Sequence, residues 1–271
     1  MTDEQSIDHA RRFGGLTRLY GIRGAEQIFN SHIVVIGIGG VGSWSAEALA
    51  RTGVGHITLV DMDHVSESNI NRQIHSLGST LGKSKIEAMR ERIMDINPEC
   101  HVHLVDDFVT PENWSVLLAG IQLFAPVMGV IDACDQVATK TALAAWALTQ
   151  KQILFITVGA AGGKQQAELV QMNDLSQTTH DPLLAKMRYN LRRHHGAARE
   201  GKLGVTCIYS QESVRQPIQE LENGICAIDA ESDGSLNCHG FGSSVSVTAT
   251  FGLCAAGWIA KTLAKYEKTT L

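Results

Sequence analysis

A glycine-rich turn near the amino terminus is the first place in this sequence where residue types and spacing could support chemistry. Gly37, Gly39 and Gly42 follow the pattern G-x-G-x-x-G, and Gly40 adds a further glycine between them. Glycines let the backbone approach a phosphate closely, and the first N–H groups of a helix are unpaired donors at its positive end. The turn therefore predicts a nucleotide-phosphate site between a strand and a helix.

Charged and amide side chains then follow in an order that suits a triphosphate. Asp61 lies 19 residues beyond Gly42, where a carboxylate can bind ribose hydroxyls, and Asp63 comes next. Two amides and two cations complete the set: Asn69, Arg72, Gln73 and Lys85. A triphosphate needs two cations because charge builds up on the phosphoryl group that is transferred, whereas a dinucleotide seldom does. We therefore expect ATP, with a nicotinamide cofactor as the alternative.

A further carboxylate, Asp135, ends the segment IDACD over residues 131–135. At the carboxyl edge of a parallel sheet, beside phosphates, a carboxylate suits Mg²⁺. Each of these residues also has an ordinary interpretation, since Arg72 and Lys85 could be surface charges and Asp135 a helix N-cap. These residues follow the ends of successive predicted strands, and this arrangement favours a nucleotide-binding site over the ordinary interpretations.

Alternating strands and helices position these residues. Short apolar runs predict strands over 31–36, 56–60, 101–105, 127–131 and 153–157, and helical periodicity predicts helices over 41–51, 84–96, 112–119 and 137–150. This alternation predicts an α/β fold with a doubly wound, mostly parallel sheet and a Rossmann-like ATP-binding half.

The second half of the chain changes rhythm after Gly163. We expect strands over 167–172 and 206–210 and a helix over 181–195, in a smaller C-terminal extension of the same sheet. Residues 1–271 then form one domain, with a nucleotide-binding core over 31–163. The uncharged segment 240–260 is long enough to span a bilayer, but its serines, threonines and glycines favour a buried helix.

Composition narrows the class of protein. The 271 residues include 44% apolar and 19% charged residues, and the net charge is −5, so we expect a soluble globular protein without a uniformly basic surface. None of the six cysteines forms a Cys-x-x-Cys pair, so no paired-cysteine zinc site is expected. The polar amino terminus lacks the apolar region of a secretory signal, which favours the cytoplasm.

The nucleotide motifs resemble those of the ubiquitin-activating-enzyme-like (ThiF-type) superfamily, which includes bacterial adenylating enzymes for sulfur-carrier proteins. Flanking stretches resemble a branch of it that dehydrates threonylcarbamoyladenosine in tRNA. These stretches are RFGG (12–15), RLYG (18–21), IGIGGVGSWSAEALAR (36–51), NPEC (97–100), DDFVTP (106–111), GKLGV (201–205) and TATFG (248–252). The resemblance covers nearly the whole chain.

The resemblance implies an ATP- and Mg²⁺-dependent reaction through an acyl-adenylate, on a threonylcarbamoyladenosine next to the anticodon of tRNA. It implies catalytic roles for Arg72, Lys85 and Asp135, with Asp135 positioning Mg²⁺. It implies ATP binding by Gly37, Gly39, Gly40, Gly42, Asp61, Asp63, Asn69, Arg72, Gln73 and Lys85.

The resemblance also implies partners. A homodimer is expected, in which Arg18 or Arg12 acts in the site of the other subunit. A cysteine desulfurase and its sulfur acceptor (CsdA/CsdE-like) are candidate partners, and Cys238 is the candidate sulfur-accepting thiol, although a small buried cysteine is the ordinary interpretation. Residues 164–271 are expected to bind substrate and tRNA and to contact the second subunit.

A basic run over 186–202 is the candidate tRNA contact, although a solvated helix face is the usual explanation for such a run. It holds Lys186, Arg188, Arg192, Arg193, Arg199 and Lys202 against the single acid Glu200. Tyr189 could stack on a base.

Three other functions remain as alternatives. An adenylating enzyme for a small sulfur-carrier protein would need a loop thiol, yet no cysteine lies between Cys134 and Cys207. A nicotinamide-dependent oxidoreductase would not need Mg²⁺. A membrane-anchored protein would need detergent for solubility.

Overall fold

The computed structural model describes residues 8–216, 218–221, 224–227 and 241–265. Seven strands form one sheet in the order β3-β2-β1-β4-β5-β7-β6. The strands are β1 (His32–Ile36), β2 (His56–Val60), β3 (His101–Val105), β4 (Gly129–Asp132), β5 (Leu154–Val158), β6 (Val170–Asp174) and β7 (Thr206–Ser210). All neighbouring pairs are parallel except β6 with β7. The doubly wound, mostly parallel sheet is confirmed.

Helices cover both faces of the sheet. They are α1 (His9–Phe29), α2 (Gly42–Arg51), α3 (Lys85–Ile96), α4 (Trp114–Ile121), α5 (Val137–Thr149), α6 (Pro182–His194) and α7 (Val245–Leu263). One apolar core lies between the sheet and α2, α3 and α7, and a second lies between the sheet and α4, α5 and α6. Strands buried on both faces read as continuous apolar runs, which is why sequence reasoning located β1 and β2 within one residue.

Three features differ from the sequence expectations. Helix α1 was not predicted, and its backbone leaves the helical region at Gly21, where φ is 76°. Residues 167–169 form a 3-10 turn, so the strand expected over 167–172 begins only at Val170. A hairpin of β8 (Ile218–Leu221) and β9 (Gly224–Ala227) was also missed. In β6, a short and half-buried edge strand, the side-chain pattern decides the strand's bounds poorly, because pairing with β7 sets them.

Helix α7 accounts for most of the uncharged segment 240–260. Its buried face includes Val247, Phe251, Ala255 and Ile259 and packs on the sheet and on α2. A Cβ on Gly252 would lie 2.4 Å from the Val41 carbonyl oxygen. The backbones of α7 and α2 are therefore in direct contact at this glycine, and a larger residue would not fit between them. In the part of the chain that the structure describes, no helix is long and apolar enough to cross a membrane.

Candidate active site

The order of the strands reverses between β1 and β4, and the carboxyl edge of the sheet at this point is called the crevice below. These strands are neighbours, but the chain leaves β1 toward β2 on one side and continues from β4 to β5 on the other. In doubly wound sheets, ligands bind at this reversal of strand order. The Gly37–Gly42 turn leaves β1 here and residues 133–135 leave β4, and the Ala133 N–H donates to the Ile36 carbonyl over 2.8 Å.

The glycine turn has the shape of an anion cradle. Gly37 has φ of 83°, which favours glycine, and a Cβ on Gly42 would lie only 1.8 Å from the Gly37 carbonyl oxygen. A Cβ on Gly39 would meet no atom within 4 Å, so this position faces open space. The backbone N–H groups of residues 39–42 donate to no acceptor within the described ranges. Four backbone donors without an acceptor at the start of α2 suit a phosphate.

Asp61 closes the turn from the end of β2. Its Oδ2 accepts a 2.6 Å hydrogen bond from the Ile38 N–H, and its Oδ1 accepts one of 2.8 Å from the Asp63 N–H. The residue is buried. Each carboxylate oxygen retains a second acceptor position, so Asp61 can hold the turn and also accept from a ligand hydroxyl.

Lys85 and Asp63 form an ion pair at the same edge. Lys85 begins α3, is 7% exposed, and its Nζ lies 2.6 Å from Asp63 Oδ2. The Asp63 side chain itself is about half exposed. The buried ammonium is thus held by a half-exposed carboxylate, and the surface-charge interpretation of Lys85 is wrong.

The loop that bears Arg72 is tied to α2 and to the segment that enters α7. Trp44 Nε1 donates to the Arg72 carbonyl over 2.9 Å, and Asn71 Nδ2 donates to the Ser243 carbonyl over 3.1 Å. The Arg72 guanidinium donates to the Ser68 carbonyl over 2.6 Å. A Cβ on Gly40 would lie 3.4 Å from the Arg72 side chain, so the guanidinium stem borders the glycine turn.

The two amides of this loop are buried and support it. Asn69 Oδ1 accepts from the Ser66 N–H and caps its own turn over 3.0 Å. Gln73 is buried, and its Oε1 has no partner among the described residues. Asn69 therefore stabilises the conformation of the loop. The Gln73 Oε1, in contrast, can accept a hydrogen bond from a group outside the described residues.

Asp135 is exposed and follows β4. Desolvation and the nearby Asp63 carboxylate raise its pKa, while Lys140 and Lys85 act in the opposite direction. The residue that caps α5 is Gln136, so Asp135 is not an N-cap. Two carboxylates within electrostatic reach suit a hard divalent cation, which would relieve their repulsion. Asp135 and Asp63 therefore fit Mg²⁺.

A buried ion pair that sequence reasoning missed fixes the loop before Asp135. The side chains of Lys140 and Asp132 have no exposed area, and Lys140 Nζ lies 3.0 Å from Asp132 Oδ2. Lys140 also donates to the Cys134 carbonyl over 2.9 Å, and the Thr157 hydroxyl donates to Asp132 over 2.7 Å. A lysine within the otherwise apolar, small-residue helix α5 was the signal available in the sequence.

A family model described as the ThiF family matches residues 13–271. The chain belongs to the ThiF family.

Two curated bacterial proteins are similar to this chain over most of its length. The chain is 46% identical to a tRNA threonylcarbamoyladenosine dehydratase of Escherichia coli (strain K12) over 250 residues, covering 90% of each chain. It is 42% identical to a protein of the same name from Haemophilus influenzae, covering 95% of each chain. A crystal structure of the E. coli enzyme in complex with ATP matches with a TM-score of 0.81 and 43% identity, over 95% of this chain and 96% of that one.

The two candidate arginines of this ThiF family chain lie in different settings on α1. Arg12 donates to the Ile96 carbonyl over 2.6 Å and so caps the end of α3 within its own subunit. Arg18 is exposed and makes no hydrogen bond or ion pair with any described residue. The sequence alone did not decide which arginine acts in the site of a second subunit. Of the two, only Arg18 has no partner within the described residues and can contact another molecule.

The basic run of this ThiF family chain divides into inward and outward groups. Arg188 faces inward, because its guanidinium donates to the carbonyls of Leu175 and Thr178 over 2.9 and 3.0 Å. Arg193 lies over the Tyr189 ring at 5.7 Å on the exposed end of α6. Arg192 is half-buried and donates to the Ala198 carbonyl over 3.2 Å. Lys186, Arg199 and Lys202 are exposed.

Two predicted features of this ThiF family chain remain outside what the structure describes or tests. Cys238 lies in the residues between 227 and 241, beyond the described ranges. Within the described ranges, no group of three or more histidine, cysteine, aspartate or glutamate side chains has metal-binding geometry. A Mg²⁺ at Asp135 and Asp63 would therefore take its remaining ligands from the nucleotide phosphates and water, as Mg²⁺ commonly does.

Proposed function

We propose that this protein uses ATP to dehydrate threonylcarbamoyladenosine in tRNA, next to the anticodon. One observation carries the proposal: the four-donor glycine turn, the Lys85–Asp63 ion pair and Asp135 meet at one crevice of a ThiF family fold. The names of the E. coli and H. influenzae relatives supply the substrate class.

The reaction has two steps. A carboxylate oxygen of the substrate attacks the α-phosphorus of ATP, the α–β bridging bond breaks, and pyrophosphate leaves. The resulting acyl-adenylate is then attacked at its acyl carbon by a nucleophile within the same side chain. The C–O bond to the phosphate breaks, AMP leaves with the carboxylate oxygen, and the nucleophile loses its proton. The nucleoside has lost one water in total.

The charges at the crevice match this chemistry. Negative charge grows on the bridging oxygen and on the α-phosphoryl oxygens in the first step, and fixed cations and N–H donors stabilise it. Lys85 and Arg72 are the cations, and residues 39–42 supply the donors. Asp135 and Asp63 would hold Mg²⁺, which supplies further neutralisation of the phosphates. Asp61 would accept from the ribose hydroxyls, and Gln73 would support the Arg72 loop.

Enzyme thiols have no role in this mechanism. Cys134 is near the crevice, but its Sγ donates to Asp132 over 3.0 Å. Burial and the Asp132 carboxylate raise the pKa of the Cys134 thiol well above its usual range, so the nucleophilic thiolate is scarce. Ring closure by a nucleophile of the substrate itself removes the need for a thioester.

The partners follow from the surface charges. The tRNA phosphates would contact Arg192, Arg193, Arg199 and Lys202, which lie at and beyond the carboxyl end of α6. Arg18 would act in the site of a second copy in a homodimer. Cys238 would accept sulfur if a cysteine desulfurase system engages this protein in the cytoplasm. In this division, residues 31–163 bind the nucleotide, and residues 164–271 serve substrate binding and dimer contact.

ATP–pyrophosphate exchange tests the proposal. Purified protein is incubated with ATP, Mg²⁺ and labelled pyrophosphate, together with tRNA carrying threonylcarbamoyladenosine, tRNA without it, or a sulfur-carrier protein that ends in Gly-Gly. Exchange that depends on the modified tRNA supports the proposal. Exchange stimulated by the carrier protein alone would replace it with the sulfur-carrier alternative.

A further inference from the structure

A second glycine-rich turn follows β5 and has no role in the proposed mechanism. Residues 159–163, here called the β5 turn, have the sequence GAAGG, so none of their side chains is larger than a methyl group. Parallel pairing aligns Asp132 at the end of β4 with Thr157 in β5. Neighbouring strands lie about 4.8 Å apart, and parallel strands end at the same edge of the sheet, so the β5 turn lies beside residues 133–135 at the crevice.

The β5 turn is connected to the loop that bears Arg72 through the segment that enters α7. The Gly163 N–H donates to the Gly242 carbonyl over 2.8 Å. Asn71, next to Arg72, donates through Nδ2 to the carbonyl of the following residue, Ser243, over 3.1 Å. Because the Arg72 stem borders the glycine turn, an acyl group bonded to the α-phosphate at this crevice would lie near the β5 turn.

Two consecutive N–H groups in the middle of the β5 turn have no acceptor. Ala161 and Gly162 are half-buried, and their N–H groups donate to no acceptor within the described ranges. The Gly159 N–H, in contrast, donates to the Ile208 carbonyl over 2.7 Å, and the Gly163 N–H is likewise bonded. Two adjacent backbone donors of this kind suit an oxygen that carries or develops negative charge.

A buried carboxylate fixes the shape of the β5 turn. Asp181 Oδ2 accepts from the Ala160 N–H over 2.9 Å, and its Oδ1 caps α6 by accepting from the Leu184 N–H over 3.0 Å. The buried Lys164 ammonium lies 3.9 Å from Asp181 Oδ2 and compensates its charge. A Cβ on Gly159 would lie 2.0 Å from the same oxygen, so a side chain there would collide with the carboxylate. Donors held in this way need little reorganisation when charge develops on a ligand.

We propose that the Ala161 and Gly162 N–H groups bind the acyl oxygen of the acyl-adenylate and stabilise the negative charge that this oxygen gains during ring closure. This inference rests on the proposed function. As the nucleophile of the substrate's own side chain bonds to the acyl carbon, the electron pair of the C=O bond moves onto the acyl oxygen. The C=O bond re-forms when the C–O bond to the phosphate breaks. AMP leaves with that oxygen, and solvent takes the proton of the nucleophile.

The β5 turn supplies what the second step otherwise lacks. Lys85 and Arg72 are assigned to the phosphoryl oxygens, and the N–H groups of residues 39–42 to the phosphates, so none of them is assigned to the acyl oxygen. The small residues of the β5 turn also leave room for the substrate. A Cβ on Gly162 would meet only the Phe241 Cβ, at 3.4 Å.

Removal of a single N–H group tests the proposal. Gly162→Pro lacks the N–H. Gly162→Ala is the matched control, because it keeps the N–H and its Cβ has only an ordinary contact with Phe241. Each protein is mixed with ATP, Mg²⁺ and tRNA that carries threonylcarbamoyladenosine. ATP–pyrophosphate exchange measures the first step, and AMP release in a single turnover measures ring closure.

The two steps should respond differently. We expect Gly162→Pro to close the ring about a hundredfold more slowly than Gly162→Ala, with exchange rates within about threefold of each other, so that the acyl-adenylate accumulates and can be trapped by acid. Equal ring-closure rates in the two variants, or equal slowing of exchange and ring closure, would overturn the proposal and leave an ordinary solvated turn. Wild-type protein without exchange on the modified tRNA would instead refute the proposed function, and this inference with it.

A backbone ester replaces the proline variant if Gly162→Pro does not fold. Lactic acid in place of Ala161, introduced with a chemically acylated suppressor tRNA, changes only the amide N–H to an ester oxygen. Alanine introduced at the same position by the same route is the control. We expect ring closure at least about tenfold slower than in the control, with exchange unchanged. Ring closure at the control rate would contradict the assignment.

Discussion

Lys85 Nζ lies 2.6 Å from Asp63 Oδ2, and the Asp63 N–H donates to Asp61, the carboxylate that also accepts from Ile38 in the glycine turn. Burial raises the pKa of Asp135, the Asp63 carboxylate raises it further, and Lys85 acts on the same carboxyl in the opposite direction. Lys85, Asp63 and Asp135 therefore form one electrostatic group. A substitution of any one of them should change the charge that the other two present to a bound nucleotide.

Removal of either cation should slow the chemistry more than it weakens nucleotide binding. We expect Lys85→Ala and Arg72→Ala each to lower turnover about a hundredfold, or about 3 kcal/mol, because their charge matches the transition state better than the bound nucleotide. Turnover is measured by pyrophosphate release and AMP affinity by calorimetry.

Lys83→Ala is the matched control for these variants. Lys83 is two residues before Lys85, lies at the surface and pairs with Glu91 rather than with Asp63. Its loss should leave turnover within about twofold of wild type, since surface ion pairs contribute little. Equal losses of AMP affinity and turnover in Lys85→Ala would contradict the transition-state role.

Asp135→Asn should raise the Mg²⁺ concentration needed for half-maximal turnover, because an amide is a weaker Mg²⁺ ligand than a carboxylate. The check is a Mg²⁺ titration of pyrophosphate release at fixed ATP. Asp106→Asn is the control, since Asp106 is exposed and follows β3 at the same edge of the sheet. An unchanged titration in Asp135→Asn would remove this residue from the metal site.

Reversal of charge at the end of α6 should weaken tRNA binding. For Arg192→Glu/Arg193→Glu, each lost phosphate contact should also reduce the slope of log affinity against log salt by about 0.7 to 0.9. ATP binding should not change, because the nucleotide turn lies in the first half of the sheet. Binding is measured at several salt concentrations on one preparation. Unchanged affinity and slope would make this segment an ordinary solvated helix end.

His75 should make the folded protein less stable in mild acid. It is 2% exposed, and burial, with help from the positive Lys85 and Arg92, lowers the pKa of His75 to about 4 from 6.5. Between these values the unfolded chain binds a proton that the folded chain does not. The free energy of unfolding therefore falls as pH drops from about 6.5 to about 4, by about 3 kcal/mol from this residue.

Urea unfolding at pH 7.5 and pH 5 measures that effect. His75→Gln replaces the imidazole with a side chain that does not titrate, so its free energy of unfolding should depend less steeply on pH than that of the wild type. The control His64→Gln changes a nearby histidine with no such burial, and should retain the wild-type dependence. Equal pH dependence in wild type and His75→Gln would refute the buried-histidine explanation.

The sequence predicted the nucleotide half of the fold well because its central strands β1 and β2 are mostly apolar, buried runs with distinct ends. Gly37 follows β1 and Asp61 follows β2, and both lie at the carboxyl edge as expected. Helix α1 was missed because its residues are polar overall and include several glycines, so that packing against α3 and α7 rather than propensity stabilises it.

The directions of individual side chains were beyond sequence reasoning. Arg188 and Arg193 are both cations of one basic run, yet Arg188 binds carbonyls inside the fold and Arg193 lies on the surface. Likewise, Arg12 is tied to the end of α3, whereas Arg18 is exposed. Local sequence shows the charge and the helix, but only the packed neighbours decide which carbonyl a guanidinium can reach.

Mass analysis of the nucleosides in a purified reaction tests the central claim most directly. The protein, ATP and Mg²⁺ are incubated with tRNA that carries threonylcarbamoyladenosine, and the tRNA is then digested under mild conditions and analysed by liquid chromatography with mass spectrometry. We predict that the modified nucleoside is replaced by one lighter by a single water, with one AMP released for each conversion. An unchanged nucleoside, in a preparation that binds both ATP and this tRNA, would contradict the account.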